Sequence, residues 1–454
     1  MNKRIKSLFL SGLMVCTSVF SLGLVGCGGD KDSLHVINFR PEDKAFYDVV
    51  KVEFEKETGK KLVYECVDTE SYANFLTSRL KANAVDVFGT EPANILSLNI
   101  FEKMDVLDDL QYTDGTSLWD HVTDFEAEQV TSDGKKYLAP LGSVNEIVYY
   151  RKDVMELINP AETFANGKYP TTWSEFVGSL NFFKGLENKG TIAGTIIYGG
   201  KQGWPASMIA GTMEVGAVRQ ENPNFYLQLA KSETTYDSPV YREYLSKLKE
   251  VCSFIGVKQA GRDYLRVPND FAQGQYAYMI DGSWSMAQVM KANAEAPIGF
   301  FPLPANDDAT KNNVVPAKSG AAMCIANTTQ KRDLAKKFIE ILYREDLYQK
   351  YVNMAMVMPA IKGVEVTENK AIVDELFAFP TMLLVENMAI PGVPGTDYIR
   401  QITSDFITEP GYTVDAAVKY INDPLLSRAD NWQKKVNLEP WFKRFYPNEK
   451  RAEW

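Results

Sequence analysis

The sequence predicts an α/β fold with a mostly parallel sheet covered by helices, and three observations support this prediction. From residue 34 to residue 89, β-rich runs alternate with helical runs, which is typical of parallel strands connected by helices. The 454 residues allow two domains, each with its own core. A second strand–helix unit follows at 321–343, although its periodicity alone does not assign it to either domain.

The first elements are defined by hydrophobic periodicity and by one glycine. Phe46, Val49, Val50 and Phe54 recur at the spacing of one helix face, and Gly59 ends that helix. In chain order the sequence predicts a strand at 34–39, this helix, a strand at 61–66, a helix at 72–82 and a strand at 85–89.

Two loops follow strands of this predicted sheet, at 40–42 and 90–94. In such sheets ligands bind beyond the carboxyl ends of the strands, so both loops are candidates for ligand contact. Their acidic members, Glu42 and Glu91, can hold hydroxyl groups or can be ordinary solvated loop acids. The candidate contacts in these loops are Glu42, Thr90, Glu91 and Asn94.

The N-terminal segment has the features of an export signal. Lys3, Arg4 and Lys6 precede an apolar run that small and polar residues interrupt. The run ends in Leu24-Val25-Gly26-Cys27, which resembles the bacterial lipobox and so implies cleavage before Cys27 and a lipid on its sulfur. An ordinary signal peptide with an incidental cysteine is the alternative. The resemblance implies a lipoprotein signal peptide at 1–26, a lipidated tether at 27–33 and a folded part close to the outer face of a membrane.

The charge balance and the rare residue types argue against several classes of protein. The formal net charge is −10, and it becomes −13 without residues 1–26, so the chain is a poor candidate for nucleic-acid binding. Two histidines argue against a histidine-based catalytic triad or a multi-histidine metal site. Cys66, Cys252 and Cys324 are odd in number and far apart, which argues against a disulfide framework or a zinc site. We therefore expect no metal and no cofactor.

Five motifs occur in an order that resembles a known family. They are "VEFEKETGKKLVYE" (52–65), "YYRKDVM" (149–155), "PTTWSEF" (170–176), "FAQGQYAYMIDGSW" (271–284) and "AKKFIEILYREDLYQKYV" (335–352). Together with the lipobox they resemble the extracellular solute-binding proteins of ATP-binding-cassette importers, in the sugar-binding group that includes maltose-binding protein. The resemblance extends from about residue 34 to about residue 425.

The resemblance implies a two-lobed periplasmic-binding-protein-like fold. Each lobe would be a mostly parallel sheet flanked by helices, with the ligand cleft between the lobes and hinge closure on the ligand. We expect the chain to cross between lobes near Leu141–Val148, Phe300–Pro304 and Tyr343–Tyr351. The expected domains are an N-lobe at 34–141 and 301–346 and a C-lobe at 145–297 and 350–454.

The motif "MIDGSWSM" is the strongest candidate for ligand contact. A site for sugar needs aromatic planes for the C–H faces and polar groups for the hydroxyls. An apolar strand end breaks at Asp281-Gly282, where glycine permits a close approach, and Trp284 supplies a plane. In the family a tryptophan at the corresponding place stacks on sugar, while a tryptophan packed into the core is the alternative. The candidates are Asp281, Gly282, Ser283 and Trp284.

Three further stretches supply weaker candidates. Trp204 opens a helix after a Gly-rich loop, where it either lines the cleft or packs against the helix start. The crossing strand "PLGSVNEIVYY" is expected to place Ser143, Val144 or Asn145 at the cleft floor. The tyrosine pair at 149–150 in the same strand is an alternative ligand set for ferric iron, but adjacent strand residues point to opposite faces. In "GTDYIRQ", Asp397 stands where relatives place a stacking aromatic, with Tyr398 beside it.

These observations predict a membrane-anchored extracellular receptor that captures a mono- or oligosaccharide and delivers it to the permease subunits of an ABC importer. We expect a monomer that catalyses no reaction. Three alternatives remain: a receptor for a cationic solute such as a polyamine, a secreted glycoside hydrolase with paired carboxylates, and an adhesion or scaffold lipoprotein. The sequence assigns no role to the segment after about residue 425.

Overall fold

A computed structural model describes residues 32–92, 95, 100–132, 134–384 and 394–427. The predicted signal peptide, the lipobox cysteine Cys27 and the candidate contact Asn94 lie outside the described residues. Within the described ranges, no helix combines the length and the apolar character needed to cross a membrane.

The structure is a mixed α/β fold with two main sheets. The strands are β1 (Ser33–Asn38), β2 (Lys61–Cys66), β3 (Val87–Thr90), β4 (Thr131–Ser132), β5 (Lys135–Lys136), β6 (Ala139–Pro140), β7 (Gly142–Arg151), β8 (Gly194–Ile197), β9 (Tyr276–Gly282), β10 (Ile298–Phe301), β11 (Val315–Ser319), β12 (Ala322–Ile325), β13 (Met358–Pro359) and β14 (Thr381–Leu383). The helices are α1 (Lys44–Thr58), α2 (Thr69–Lys81), α3 (Leu118–His121), α4 (Asp124–Val130), α5 (Lys152–Met155), α6 (Pro160–Thr163), α7 (Trp173–Asn188), α8 (Pro205–Glu214), α9 (Phe225–Lys231), α10 (Pro239–Cys252), α11 (Val267–Ala272), α12 (Met286–Ala292), α13 (Arg332–Leu342), α14 (Glu345–Ala355), α15 (Lys370–Leu376), α16 (Thr396–Thr408) and α17 (Val414–Leu426).

The first sheet contains the early strands and one late strand, in the order β2-β1-β3-β12-β6. β1 pairs in parallel with β2 and β3, as the alternation of strands and helices predicts. α1 buries Phe46, Val50 and Phe54 against this sheet and ends at Gly59, whose φ of +65° is in the left-handed region that favours glycine. The α/β prediction is therefore confirmed, although β12 runs antiparallel to β3 and to β6, so this sheet is mixed rather than mostly parallel.

The second sheet is organised around the ten-residue strand β7, which is buried along its whole length. Its order is β14-β11-β7-β9-β8, and β10 and β13 also pair with β7. Pairing is mixed rather than mostly parallel, because β7 runs antiparallel to β9, β10, β11 and β13. β9 therefore ends opposite Glu146 of β7, and β8 runs parallel to β9, so both strands end on the side of the sheet where β7 begins.

The two sheets are connected by adjacent chain segments that hydrogen-bond to each other. The Leu141 amide donates to the Ala321 carbonyl at 3.1 Å, and the Gly320 amide donates to the Gly142 carbonyl at 2.9 Å. A β-carbon on Gly320 would lie 2.9 Å from that Gly142 oxygen, so the close approach requires glycine. We call these segments, 140–143 and 319–322, the inter-sheet link.

Two of the expected crossings differ from this arrangement. β10 and β11 both belong to the second sheet, so the chain passes between sheets at 319–321 rather than near Phe300–Pro304. α14 packs on α1, where the Phe46 and Tyr351 ring centroids are 5.0 Å apart. Residues up to about 355 therefore pack with the first sheet, past the expected Tyr343–Tyr351 crossing.

Candidate ligand-binding site

Two tryptophans lie side by side at the edge where β8 and β9 end. Trp284 follows β9 in a short turn at Ser283–Ser285, and Trp204 immediately precedes α8. Their ring centroids are 6.3 Å apart with an interplanar angle of 51°, and both side chains are half-buried. The structure thus brings together two aromatic residues that are 80 positions apart in the sequence.

Tyr264 holds this pair in position, and the sequence analysis did not identify it. The indole Nε1 of Trp284 donates to the Tyr264 hydroxyl at 2.7 Å, and the Tyr264 ring packs edge-on against Trp204 at 4.4 Å. The Tyr264 hydroxyl in turn donates to Asp281 Oδ1 at 2.9 Å. Tyr264 is therefore a positioning residue that connects both tryptophans to a buried carboxylate.

Asp281 is buried next to Tyr264 and the turn that carries Trp284. It accepts hydrogen bonds from Tyr264, from Ser285 at 3.0 Å and from the Gly282 amide at 2.7 Å. Burial raises the pKa of Asp281 to about 7, and these three hydrogen bonds oppose the rise. Both oxygens of the Asp281 carboxylate therefore accept hydrogen bonds from groups of the protein itself.

Gly282 is required by the position of the Trp284 ring. A β-carbon on Gly282 would lie 2.1–2.3 Å from three ring atoms of Trp284, which is far inside van der Waals contact. The backbone itself, with φ −81° and ψ 157°, is extended and accepts any residue. The absence of a side chain at this position therefore permits the ring to lie over the strand end.

Replacing Gly282 by alanine is expected to displace the Trp284 ring and break its bond to Tyr264. Overpacking of this kind costs about 1–3 kcal/mol, which urea unfolding at equilibrium measures. Gly256→Ala is the matched control, because its β-carbon would meet no atom within 4 Å and its φ is −68°. Equal stability of the two variants would contradict the proposed packing.

An ion pair between the two sheets lies beside one of the tryptophans. Lys318 Nζ lies 2.9 Å from Glu91 Oε2 and 5.7 Å from the Trp284 ring centroid. Glu91 follows β3, and its neighbour Thr90 is buried opposite Ala322 of β12. Lys318 belongs to β11, opposite Val144 of β7. Lys318 was not among the predicted contacts, although a lysine within the β-rich run "VVPAKSG" is an unusual strand residue that could have indicated a site.

A second ion pair forms in the loop after β1. Arg40 Nε lies 2.8 Å from Asp43 Oδ2 and 3.4 Å from Glu42 Oε1, and Arg40 and Asp43 are buried. Burial raises the pKa of Asp43 to about 6, while the neighbouring Arg40 opposes the rise. Glu42 therefore faces a cation of its own chain.

The crossing strand supports the turn that carries Trp284. The backbone amide of Asn145 donates to Ser283 Oγ at 3.2 Å, and the side-chain Nδ2 of Asn145 donates to the Leu376 carbonyl at 3.1 Å. Ser143 and Val144 are buried in the same strand, paired with Ser319 and Lys318 of β11. Among the three strand residues, Asn145 therefore supports the turn, whereas Ser143 and Val144 lie in the pairing between β7 and β11.

Two predicted contacts lie elsewhere in the structure. Asp397 is exposed and pairs with Arg400 at 3.2 Å, and Tyr398 packs against Tyr420 with ring centroids 5.2 Å apart. Both contacts are made within helices α16 and α17. The contacts described for Asp397 and Tyr398 therefore do not involve the tryptophan pair, and their contact with ligand stays a prediction.

The tyrosine pair in β7 does not form a ligand set. The Tyr149 hydroxyl donates to the Gly282 carbonyl at 2.8 Å, whereas the Tyr150 ring packs near Tyr169 and Phe301. The two side chains therefore point to opposite faces of the strand. Among the described residues, no group of three or more His, Cys, Asp or Glu side chains is arranged to hold a metal ion.

Comparison with known proteins gives a family and a fold. The profile of the family described as bacterial extracellular solute-binding protein matches residues 50–377. A multiple sugar-binding protein from Streptococcus mutans is 23% identical over 383 residues, which covers 80% of this chain and 84% of that protein.

Several solved structures have the same fold, and the alignments with this chain cover nearly their whole length. A chitin oligosaccharide binding protein has a TM-score of 0.72 at 20% identity, covering 87% of this chain and 98% of that one. A sugar transporter protein from Bacillus licheniformis in complex with stachyose has a TM-score of 0.70 at 14% identity, covering 87% and 100%. A solute-binding protein in complex with raffinose has a TM-score of 0.69 at 18% identity, covering 87% and 99%.

Proposed function

The chain belongs to the family of bacterial extracellular solute-binding proteins, and from this premise we propose that it captures a mono- or oligosaccharide. The tryptophan pair at the strand ends is the observation that carries the proposal. Tilted aromatic planes suit the C–H faces of a sugar, and the nearby Glu91–Lys318 pair offers an acceptor and a donor for its hydroxyls. The curated and structural relatives that bind sugars support the same ligand class.

A cationic ligand such as a polyamine is disfavoured by the state of the cleft carboxylates. Glu91 is paired with Lys318, and Glu42 faces Arg40. Asp281 is buried next to Tyr264, where its oxygens accept hydrogen bonds from the protein. An amine would have to displace a cation of the protein itself, whereas neutral hydroxyls can share these groups.

We propose that the protein performs no reaction. The similar proteins are binding proteins, and a glycoside hydrolase needs two carboxyl groups about 5–10 Å apart on either side of the bond that is cleaved. Asp281 is buried and hydrogen-bonded within the protein, so it cannot flank a glycosidic bond together with Glu91, whose carboxylate is paired with Lys318.

The extracellular family supports a position outside the cell, and we propose that Cys27 carries a lipid anchor. The cargo would pass to the permease subunits of an ABC importer, with the receptor acting as a monomer without cofactor. We propose the two sheets as the centres of two lobes. The sequence predicts an N-lobe at 34–141 and 301–346 and a C-lobe at 145–297 and 350–454, and the pairing of β11 with β7 favours beginning the second N-lobe segment near residue 320 instead of 301. The Phe46–Tyr351 contact favours extending the N-lobe to about residue 355.

A ligand panel read by thermal unfolding tests this function. The panel contains oligosaccharides, simple sugars, polyamines and ferric salts. A ligand that binds only the folded state, at about 100 times its Kd, adds about 2.7 kcal/mol to stability and raises the unfolding midpoint. We expect a raised midpoint with one group of carbohydrates. A rise with polyamines alone would keep the fold and contradict the carbohydrate proposal.

A further inference from the structure

Lys318 connects groups from the two sheets. Its Nζ pairs with Glu91 Oε2 at 2.9 Å, and the same atom lies 5.7 Å from the Trp284 ring centroid. Glu91 follows a strand of the first sheet, whereas Lys318 belongs to a strand of the second sheet and Trp284 follows another. A continuous chain of contacts therefore extends from a carboxylate through an ammonium to an aromatic ring.

Lys318 is largely removed from water. Its side chain is 8% exposed and that of Glu91 is 18% exposed. A buried ammonium is tolerated only where other groups compensate for its lost hydration. Here the carboxylate supplies the opposite charge, and the face of the indole ring supplies the negative side of its quadrupole.

This combination of groups is also the one that binds amine ligands. An aromatic plane with a carboxylate beside it attracts an ammonium group, whether that group belongs to a ligand or to the protein. In this cleft the ammonium of Lys318 already lies where that of an amine ligand would lie. A second cation in the same place would meet like-charge repulsion at close range.

We propose that Lys318 sets the charge selectivity of the cleft, because its ammonium fills an amine-binding position and so excludes cationic solutes. The inference rests on the proposed function, since it takes the cleft beside Trp284 as the binding site. It goes further by naming the residue that decides between neutral and cationic cargo. Removing the lysine should therefore uncover an amine site.

Lys318→Met is expected to gain affinity for spermidine. Calorimetric titration at low ionic strength should give a Kd at least about 100-fold lower than that of the unaltered protein, and added salt should weaken the binding steeply. The double variant Lys318→Met with Glu91→Gln should lose the gain, because the carboxylate is then absent. Equal spermidine affinity in the single and double variants would overturn the inference.

The chain offers a matched control in a second lysine that contacts a tryptophan. Lys247 Nζ lies 5.7 Å from the Trp173 ring centroid and pairs with Glu243 at 2.6 Å, but Glu243 is 65% exposed. Lys247→Met changes the net charge by the same amount, and we expect no gain in spermidine affinity. A gain as large as that of Lys318→Met would assign the effect to net charge and overturn the inference.

A second variant covers the case in which Lys318→Met does not fold. Lys318→Gln keeps a polar N–H donor while removing the charge, and the same gain is expected. The test is separable from that of the carbohydrate proposal, because spermidine binding is read without any sugar. A gain in Lys318→Met together with no carbohydrate binding by the unaltered protein would support the selectivity and reject the carbohydrate. Carbohydrate binding by the unaltered protein, with no gain of spermidine affinity in Lys318→Met, would support the carbohydrate proposal and overturn the selectivity.

Discussion

Replacement of Trp284 by alanine is expected to remove most of the affinity for carbohydrate. The indole is one of two half-buried planes at the strand ends, and it is anchored through Nε1 to Tyr264. Anchored aromatic side chains of this kind contribute about 2–4 kcal/mol to binding, which corresponds to a roughly 30- to 1,000-fold higher Kd. The increase in Kd is measured by calorimetric titration with the carbohydrate that raises the unfolding midpoint in the ligand panel.

Trp173→Ala is the control for this prediction. Trp173 is also half-buried and packs against the core of the second sheet at the start of α7, so its removal tests the loss of a tryptophan away from the cleft. We expect lower stability but an unchanged Kd for that variant. Loss of stability in Trp284→Ala without any change in Kd would assign Trp284 to the core and remove the basis of the proposed site.

The sequence predicts elements whose signals are local. The helix after β1 follows from four apolar residues at helical spacing, and its end follows from the glycine at position 59. Trp284 could be selected because it follows an apolar run that breaks at Asp281-Gly282, and Trp204 because it opens a helix after a Gly-rich loop. Their proximity was not predicted, because it depends on how β9 and α8 pack.

The missed residues depend on contacts that no local pattern encodes. Tyr264 belongs to a short irregular segment, and its role depends on meeting Trp204 and Asp281. The role of Lys318 depends on the register that sets it opposite Val144, because a shift by one residue would turn its side chain to the other face. Glu91, Lys318 and Trp284 lie on three strands or strand ends that are distant in sequence, so only the assembled sheets reveal their contact.

A buried carboxyl group lies next to the inter-sheet link. Glu126 of α4 is fully buried, and its carboxyl group faces the hydroxyls of Ser143 and Ser319. Ser143 lies near the beginning of β7, and Ser319 ends β11, so both hydroxyls belong to the chain segments that pass between the sheets. Burial raises the pKa of Glu126 to about 7, and the two hydroxyls oppose the rise.

This raised pKa makes the stability depend on pH, with a definite sign. The folded chain holds the Glu126 proton more tightly than the unfolded chain, whose glutamates titrate near pH 4.5. The contribution to stability is therefore complete below pH 4.5 and decreases as the pH rises toward 7. The difference between the two pKa values corresponds to about 3 kcal/mol.

Glu126→Gln is expected to remove this part of the pH dependence. Urea unfolding between pH 4 and pH 8 should show that the stability of the variant, relative to the unaltered protein, increases by about 3 kcal/mol across the interval. Asp281 and Asp43 also have raised pKa values, so the difference between the two curves isolates Glu126. Parallel curves would mean that Glu126 does not titrate in this range.

Glu128→Gln separates the effect of burial from the loss of one negative charge. Glu128 lies two positions away on the same helix and is exposed, so water solvates its carboxylate in both the folded and the unfolded chain. We expect its stability curve to run parallel to that of the unaltered protein. A pH-dependent difference confined to Glu126→Gln would then locate the titration at the buried Glu126 carboxyl group, which faces Ser143 and Ser319 where the chain passes from one sheet to the other.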